Sequence, residues 1–162
     1  KTWCRMPNDY TLIIAGAGEL EERYKQMVRE FRLKNVLFTG FLDKKELFEY
    51  LRSSDIFVLP TESDTWGLVV NEAMACGLPV ITTDKCIAGI ELIENNMNGY
   101  LVSVGDIDGF SKSIKRVLGD EQLQQLLANN SLITIRNYTF ENIGTSHFRV
   151  LSNFLTNQNK RD

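Results

Sequence analysis

The stretch PTESDTWGLVVNEAMACGLPVITTD, residues 60–84, decides the fold of this 162-residue chain. It overlaps the apolar run 56–60, which is typical of a buried parallel strand, and its next residues are polar, as in a loop at the carboxyl end of such a strand. The mostly apolar segment 67–76 then predicts a helix. Gly77 predicts the end of that helix, because glycine readily adopts the left-handed conformation that follows many helices. A second buried strand is predicted over residues 80–83.

A strand, a loop, a helix and a second strand in this order form a right-handed crossover unit. Ligands of open α/β sheets bind beyond the carboxyl ends of such strands, which is where Asp64 and Gly67 are expected. Gly67 lets a ligand approach the backbone closely. The free N–H groups of Gly67, Leu68 and Val69 at the helix start predict a site for phosphate or another anion.

Glu72 lies one helical turn after Leu68, and its two oxygens are acceptors of the kind that binds vicinal hydroxyls, such as those of a ribose. Simpler interpretations exist for both acidic residues. Asp64 or Thr65 would cap the helix, as such residues do before most helices. Glu72 would be a solvated helix residue, although the segment 68–76 is otherwise apolar apart from Asn71 and is therefore expected to be largely buried.

The rest of the chain continues the alternation of strands and helices. Asp43, with Glu46 three residues later, predicts an acidic capping box, and Asp108 is predicted to cap a later helix. Hydrophobic periodicity predicts strands at 11–15, 36–39 and 100–102, and helices at 19–32, 43–53, 90–94, 108–118, 121–130 and 140–155, before a polar tail.

Residues 60–84 resemble the E-x7-E region of the retaining GT-B glycosyltransferases of family 4. Asp64 and Glu72 fall on the two acidic positions, where the first is usually Glu, and Trp66 stands where Phe is usual. The resemblance continues in order through 12–18, 36–41, 72–81, 88–93 and 98–102 and covers nearly the whole chain.

This resemblance implies particular roles. Glu72 would bind the donor ribose, and Asp64 would contact hydroxyls of the transferred sugar and is the candidate catalytic residue. The amides near Gly67 and Leu68 would hold the diphosphate, and the backbone around Gly40 would flank the base. The full set of implied donor-binding residues is Gly16, Gly18, Gly40, Phe41, Asp64, Trp66, Gly67, Leu68, Val69 and Glu72.

The resemblance also implies a Rossmann-like, three-layer α/β/α fold with a parallel sheet, as in the C-terminal domain of GT-B enzymes. Residues 1–162 are interpreted as a single donor-binding domain, a fragment lacking the first βα unit and the N-terminal acceptor domain. The chain supplies five strands where a complete domain would have six. Either the strands at 12 and 56 pair directly, or another copy or an upstream segment fills the gap between them.

The function implied is retaining transfer of a sugar from a UDP- or GDP-linked donor to a polysaccharide or glycoconjugate, without a metal or other cofactor. The chain alone is expected to be inactive, and its partner would be the N-terminal acceptor domain. Two alternatives stay open: a nucleotide-sugar-binding module that is inactive in isolation, and a GT-B sugar-nucleotide epimerase. The base, sugar, acceptor and linkage are not fixed by the sequence.

Composition and the remaining motifs bear on other possible functions and on location. The net charge is −3 and no basic run is present, so nucleic acid is not an expected partner. The three cysteines lack metal-site spacing, which favours a reducing cytoplasm, and membrane association would be peripheral and through the absent domain only. Gly16 and Gly18 form half of a dinucleotide fingerprint whose third position is Glu21. His147, in the last helix, is interpreted as a surface or packing residue.

Overall fold

The computed structural model describes residues 1–158 and contains five strands, each parallel to its neighbours. They form two sheets, one of β1 and β2 and one with the order β3-β4-β5. The strands are β1 (Leu12–Ala15), β2 (Val36–Gly40), β3 (Phe57–Leu59), β4 (Val80–Thr83) and β5 (Gly99–Val102).

The α/β class and the parallel strands are confirmed, but a single continuous five-stranded sheet is wrong, and so is direct pairing of β1 with β3. Parallel strands pair only at a separation of about 4.8 Å. A cavity of about 630 Å³, lined by residues of both strands, lies between β1 and β3, which therefore do not pair.

Seven helices occupy the described residues, together with two short 3-10 helices, Thr2–Arg5 and Arg136–Tyr138. The predicted short helix at 90 begins earlier, at Ile87, and the helix that starts at Glu121 continues further, to Ile135. The last helix was predicted to end at residue 155 and continues to Gln158, and the rest of the predicted polar tail, residues 159–162, lies outside the described residues. The helices are α1 (Glu21–Glu30), α2 (Lys44–Arg52), α3 (Leu68–Ala75), α4 (Ile87–Leu92), α5 (Ile107–Leu118), α6 (Glu121–Ile135) and α7 (Phe140–Gln158).

Two predicted helix caps have different outcomes. The capping box of α2 is confirmed, because the Glu46 amide donates to Asp43 Oδ1 at 2.8 Å and the Asp43 amide donates to Glu46 Oε2 at 2.9 Å. The predicted cap at Asp108 is wrong. Helix α5 begins one residue before Asp108, so Asp106 is the capping residue and accepts the Gly109 amide at 2.8 Å. Asp108 instead pairs with Arg5.

The sheet of β3, β4 and β5 is covered on both faces. All four residues of β4 are buried, as in a strand that lies between two layers of helices. Val80 packs in a cluster with residues of α2, α3 and α4, whereas its neighbour Ile81 packs in a cluster with residues of α5 and α6. Because consecutive strand residues point to opposite faces, these two clusters lie on opposite sides of the sheet and give the predicted three layers.

The sheet of β1 and β2 is less covered. Neither strand contains a buried residue, and α1 contains none either. The apolar side chains in and beside α1 remain partly in solvent, since Tyr24 is 44% exposed and the flanking Leu20 and Phe31 are 50% and 47% exposed. None of the helices in residues 1–158 is both long and apolar enough to cross a membrane.

Candidate functional site

The predicted site residues follow the carboxyl ends of the parallel strands. Gly16 comes directly after β1, Gly40 ends β2, and the loop containing Asp64 leaves β3. Because all strands within each sheet are parallel, these loops emerge at the edge where α/β folds bind ligands. The loop after β3 then leads into α3, whose first turn contains most of the remaining candidates.

Helix α3 begins at Gly67, which is buried and has the left-handed backbone conformation, with φ 86° and ψ 54°. A Cβ atom at this position would lie 2.5 Å from Cys86 Sγ, well inside van der Waals contact. Glycine is therefore required here both by the backbone conformation and by the sulfur beneath it.

The anion site was predicted at the first amides of α3. The Val70 amide already donates to the Gly67 carbonyl at 2.8 Å. The amides of Gly67, Leu68 and Val69 have no hydrogen-bond acceptor within residues 1–158. Leu68 is 64% exposed, so this end of the helix is open to solvent. Three unpaired N–H groups and the positive end of the helix dipole together attract an anion.

Asp64 does not cap the helix, and neither does Thr65, because α3 begins at Gly67 without a side-chain cap. Asp64 Oδ1 instead accepts the Trp66 amide at 3.1 Å, which closes an Asx turn. The Asp64 amide donates to the Lys85 carbonyl at 3.1 Å. The turn thus uses one carboxylate oxygen, while Asp64 Oδ2 makes no hydrogen bond within the part of the chain that the structure describes.

Trp66 is fixed at both its ring and its backbone. Its Nε1 donates to Asn71 Oδ1 at 3.0 Å, and its carbonyl accepts the Ala88 amide at 2.6 Å. Cys86 Sγ lies 3.6 Å from the same carbonyl. The loop after β3 is consequently tied to α4, and 37% of the Trp66 side chain remains exposed beside the helix start.

Threonine hydroxyls tie the same loop to β4. Thr83 Oγ1 donates to the Thr61 carbonyl at 2.6 Å, and Thr82 Oγ1 donates to the Leu59 carbonyl at 2.9 Å. Both threonines are buried. The loop that positions Asp64 is therefore held by internal hydrogen bonds before any ligand arrives.

Glu72 is half-buried, and its carboxylate makes no hydrogen bond or ion pair within residues 1–158. Burying an unpaired carboxylate costs free energy, and neither Glu72 oxygen is completely enclosed. Glu72 is therefore neither fully solvated nor enclosed, in a helix whose next two residues, Ala73 and Met74, are buried. Glu72 thus presents two unused acceptors one turn behind the open helix start.

The charge of Glu72 also acts on Cys76 at the end of α3. Burial raises the pKa of the Cys76 thiol, the positive charge of Arg52 lowers it, and the negative charge of Glu72 raises it further. Burial has the largest effect, so the net direction is upward.

The glycines of the first sheet contact each other at its edge. The Gly16 amide donates to the Gly40 carbonyl at 2.9 Å, and both residues have positive φ, 114° and 68°. Phe41 follows directly and is 82% exposed, a large apolar side chain in solvent. Gly18 is exposed as well, but a Cβ atom there would meet nothing within 4 Å, so the structure gives no steric reason for glycine at this position.

Candidate residues from the first sheet and from α3 both line the cavity between the sheets. Gly16 and Phe41 line it from the side of the first sheet, and Val69 lines it from the first turn of α3. The remaining candidates lie outside the cavity lining: Gly18, Gly40, Asp64, Trp66, Gly67, Leu68 and Glu72. The cavity is therefore a neighbour of the predicted donor site rather than the site itself.

Two positioning residues were not among the predicted site residues. Cys86 packs beneath Gly67, and Asn71 accepts the Trp66 indole hydrogen bond. Asn71 had a signal in the sequence, since it is a polar residue in an otherwise apolar helix. Cys86 had none, because its contact joins segments twenty residues apart.

Other candidate sites are weaker. His147 is exposed, and its Nδ1 lies 2.8 Å from the Ile143 carbonyl of its own helix, which confirms the prediction of a surface residue. Among residues 1–158, no three His, Cys, Asp or Glu side chains are grouped as a metal site would require.

Comparison with known proteins decides the family. The family described as glycosyl transferases group 1 matches residues 2–132. The chain belongs to this glycosyltransferase family. The N-acetyl-alpha-D-glucosaminyl L-malate synthase of Bacillus anthracis is 37% identical to this glycosyltransferase chain over 119 residues, which covers 72% of the chain and 30% of that protein. The chain spans about a third of the length of the curated relatives it matches.

Solved structures show the same GT-B fold. HepE of Anabaena, crystallised in complex with UDP, is 26% identical to this glycosyltransferase chain with a TM-score of 0.82, covering 94% of the chain and 43% of HepE. The C-terminal domain of the group 1 glycosyltransferase LpcC from Francisella tularensis has a TM-score of 0.72 at 22% identity, covering 86% of the chain and 92% of that domain. The Rossmann-like fold expected from the sequence is thereby confirmed.

Proposed function

We propose that these residues bind the nucleoside diphosphate of a sugar donor for retaining transfer to a polysaccharide or glycoconjugate. The observation that carries the proposal is the half-buried, unpaired carboxylate of Glu72, which lies one turn behind three unpaired amides of α3. An anion and a neighbouring diol satisfy both sets of groups at once. A nucleoside diphosphate contains a diphosphate next to a ribose diol.

In this arrangement, the amides of Gly67, Leu68 and Val69 donate to the diphosphate. Glu72 accepts hydrogen bonds from the two ribose hydroxyls, and charge-assisted bonds of this kind are stronger than neutral ones. The exposed ring of Phe41, next to the backbone of Gly40, supplies an apolar surface beside the base. UDP is the first nucleotide to test, because the structure of HepE contains it.

Asp64 is the proposed residue for the transferred sugar. Its Oδ1 is held by the Trp66 amide, so the side chain is oriented before the donor binds. Its Oδ2 accepts from sugar hydroxyls, and the negative charge stabilises positive charge that develops at the sugar in an oxocarbenium-like transition state. The helix amides neutralise part of the diphosphate charge, which supports a mechanism without a metal ion.

Transfer itself also needs an acceptor. We propose that residues 1–162 hold the donor and that an N-terminal acceptor-binding domain completes the enzyme, so that this chain alone binds the donor without transferring its sugar. The cysteines of the described region are all free thiols, Cys4, Cys76 and Cys86, which supports a reducing cytoplasmic location.

Calorimetric titration with UDP, GDP and ADP, and then with UDP-glucose, tests the proposal. Glu72→Gln should weaken binding of the preferred nucleotide by about 1–3 kcal/mol, because one charge-assisted hydrogen bond is lost and an amide donor replaces it. Glu62→Gln is the matched control, since it removes the same charge from an exposed residue before the site and should leave affinity unchanged.

Asp64→Asn separates the sugar from the nucleotide. The asparagine oxygen can still accept the Trp66 amide, so the Asx turn should survive. This variant should bind UDP as the unaltered chain does and bind UDP-glucose more weakly. Equal affinity of Glu72→Gln and the unaltered chain would remove Glu72 from the site, and no binding of any nucleotide would contradict the proposal for these residues.

A further inference from the structure

The indole ring of Trp66 makes a hydrogen bond that the backbone of Trp66 does not need. The Trp66 amide already donates to Asp64 Oδ1 at 3.1 Å, and the Trp66 carbonyl accepts the Ala88 amide at 2.6 Å. The ring adds a separate bond, from Nε1 to Asn71 Oδ1 at 3.0 Å. Because the loop is held without this bond, the bond serves to orient the ring.

This bond leaves the ring with only apolar surface to offer a ligand. An indole N–H is a donor without acceptor capacity, and the side-chain oxygen of Asn71 supplies the acceptor it needs. With its single polar atom occupied, the ring presents carbon and hydrogen alone. Trp66 is 37% exposed, so part of this apolar surface faces solvent.

The ring and Glu72 lie on different sides of the open helix start. Asn71 and Glu72 are consecutive residues of α3, so their side chains point about 100° apart around the helix axis. Leu68 lies between them, because it is three residues before Asn71 and four before Glu72. Since the ring contacts Asn71, it lies on the side of Leu68 away from Glu72.

A free carboxylate oxygen lies at the same end of the helix as the ring. Asp64 Oδ2 makes no hydrogen bond within residues 1–158, and it is 3.7 Å from the position that a Cβ atom would take at Gly67. An apolar aromatic surface and a charged acceptor therefore adjoin the helix start together. A pyranose ring has C–H groups on its faces and hydroxyls around its rim, so it complements both surfaces.

We propose that Trp66 is the surface on which a pyranose, the transferred sugar, stacks, and that Asn71 is the positioning residue that orients it; this inference rests on the proposed function. With the ribose at Glu72 and the diphosphate on the first amides of α3, the sugar extends past Leu68 toward the indole. One face of the sugar packs on the ring, and its hydroxyls donate to Asp64 Oδ2. Asn71 acts through Trp66 and does not touch the donor.

The test is calorimetric titration of the unaltered chain and its variants with UDP, GDP and ADP and with UDP-, GDP- and ADP-glucose. Asn71→Leu keeps a similar side-chain volume but removes the acceptor. It should leave affinity for the bare nucleotide unchanged and weaken binding of the glucose conjugate by about threefold to tenfold. Asn129→Leu, at an exposed position of α6, is the matched control and should change neither affinity. Urea denaturation first establishes that each variant is folded.

A double variant tests whether Asn71 acts through the ring. Trp66→Phe should itself weaken binding of the glucose conjugate, because the stacking surface is smaller and no longer held. Phenylalanine has no N–H group, so adding Asn71→Leu to Trp66→Phe should cause no further loss. A further loss of about threefold or more would show that Asn71 acts by another route and would overturn its positioning role.

Fluorescence provides a readout that needs no change at the site. Trp3→Phe leaves Trp66 as the only tryptophan of the chain. The glucose conjugate should shift the Trp66 emission to shorter wavelength than the bare nucleotide does, because a stacked sugar displaces water from the ring. Identical emission with the nucleotide and with its glucose conjugate would overturn the stacking.

The outcomes separate this inference from the proposed function. If Glu72→Gln weakens nucleotide binding while Asn71→Leu binds the glucose conjugate as the unaltered chain does, this inference fails and the proposed function stands. The inference also fails if Asn71→Leu weakens the nucleotide and its conjugate equally, since Asn71 would then have a purely structural role. If no nucleotide binds, the proposed function fails and this inference fails with it.

Discussion

The two sheets of this domain obey the same local rules and reach different degrees of burial. The β3-β4-β5 sheet is enclosed by helices on both faces, and β4 is buried at every position. The unit of β1, α1 and β2 has well-formed strands and an amphipathic helix, yet contains no buried residue. The comparison shows that a local sequence pattern is enough to form a strand or a helix. Burying that strand or helix requires other parts of the fold to pack on both of its sides.

The candidate donor residues are divided between these regions. Asp64, Trp66, Gly67 and Glu72 lie on the enclosed part, where the loop is fixed by hydrogen bonds to β4 and α4. Gly16 and Phe41 lie on the exposed unit. The enclosed part therefore holds the preorganised groups of the candidate site, and the exposed unit holds the candidates that follow the less covered sheet of β1 and β2.

The largest expected effect comes from Gly99→Ala in the enclosed sheet. A Cβ atom at Gly99 would collide with the Val80 backbone carbonyl oxygen, which cannot move without disturbing β4. We expect a loss of about 3 kcal/mol or more in the free energy of unfolding, measured by urea denaturation. Gly18→Ala, in the exposed unit, is the control and should change stability by less than about 0.5 kcal/mol. Similar losses in both variants would remove the contrast between the regions.

Native-state hydrogen exchange should show the contrast directly. The amides of β4 and β5 should exchange only on global unfolding, whereas those of β1 and β2 should open at a free energy lower by about 2 kcal/mol or more, because few buried contacts hold them. The measurement is the exchange rate of individual amides across a urea series. Equal opening free energies in the two sheets would show that they unfold as one unit.

Removing the N-terminal cap of α2 should have a smaller effect on stability. It tests whether α2 belongs to the enclosed region and α1 to the exposed one. Asp43→Ala should cost about 1 kcal/mol in the free energy of unfolding, because α2 packs Leu51 into the enclosed core and its capping box is intact. Glu19→Ala, before the exposed and uncapped α1, should cost less than about 0.5 kcal/mol. Thermal unfolding followed by circular dichroism checks both. A larger loss of stability for Glu19→Ala than for Asp43→Ala would contradict the assignment of α2 to the enclosed region and α1 to the exposed one.

The smallest effect concerns the two thiols Cys4 and Cys76. Burial raises the pKa of Cys76 above its ordinary 9.0, so less thiolate is present there at pH 8 and iodoacetamide should modify it more slowly than the exposed Cys4. An unfolded chain loses this proton more easily. The stabilising contribution of Cys76 is therefore complete below pH 9.0 and decreases as the pH rises toward the folded pKa. Faster modification of Cys76, followed by mass spectrometry, would contradict this assignment.

Much of the fold was predictable because its signals are local. The strand at residues 80–83 was predicted with the bounds that the structure has, since a short apolar run between turn residues has few other interpretations. The capping box at Asp43 and the left-handed Gly77 were predicted for the same reason, because each needs only neighbouring residues. The cap at Asp108 was wrong by two positions, since Asp106 and Asp108 both precede the same apolar helix.

The candidate site residues were chosen from the sequence, but their geometry could not be predicted from it. Asp64 and Glu72 were identified by their spacing, yet the Asx turn that occupies one oxygen of Asp64 depends on where α3 begins. The donor-binding roles of the ten predicted residues stay proposals. Cys86 beneath Gly67 could not be predicted, because that contact exists only after two crossover units have packed together.

The sequence by itself determined the alternation of strands and helices, the parallel α/β class and the order of the residues that resemble a donor site. The first two follow from periodicity and turn chemistry, which act over a few residues, and the third rests on the resemblance to a known family. Only the tertiary structure decided that β1 and β3 remain apart, that the apolar side chains in and beside α1 remain partly in solvent and that Glu72 has no partner within residues 1–158. Burial and strand pairing depend on neighbours distant in the chain, so no local pattern could establish them.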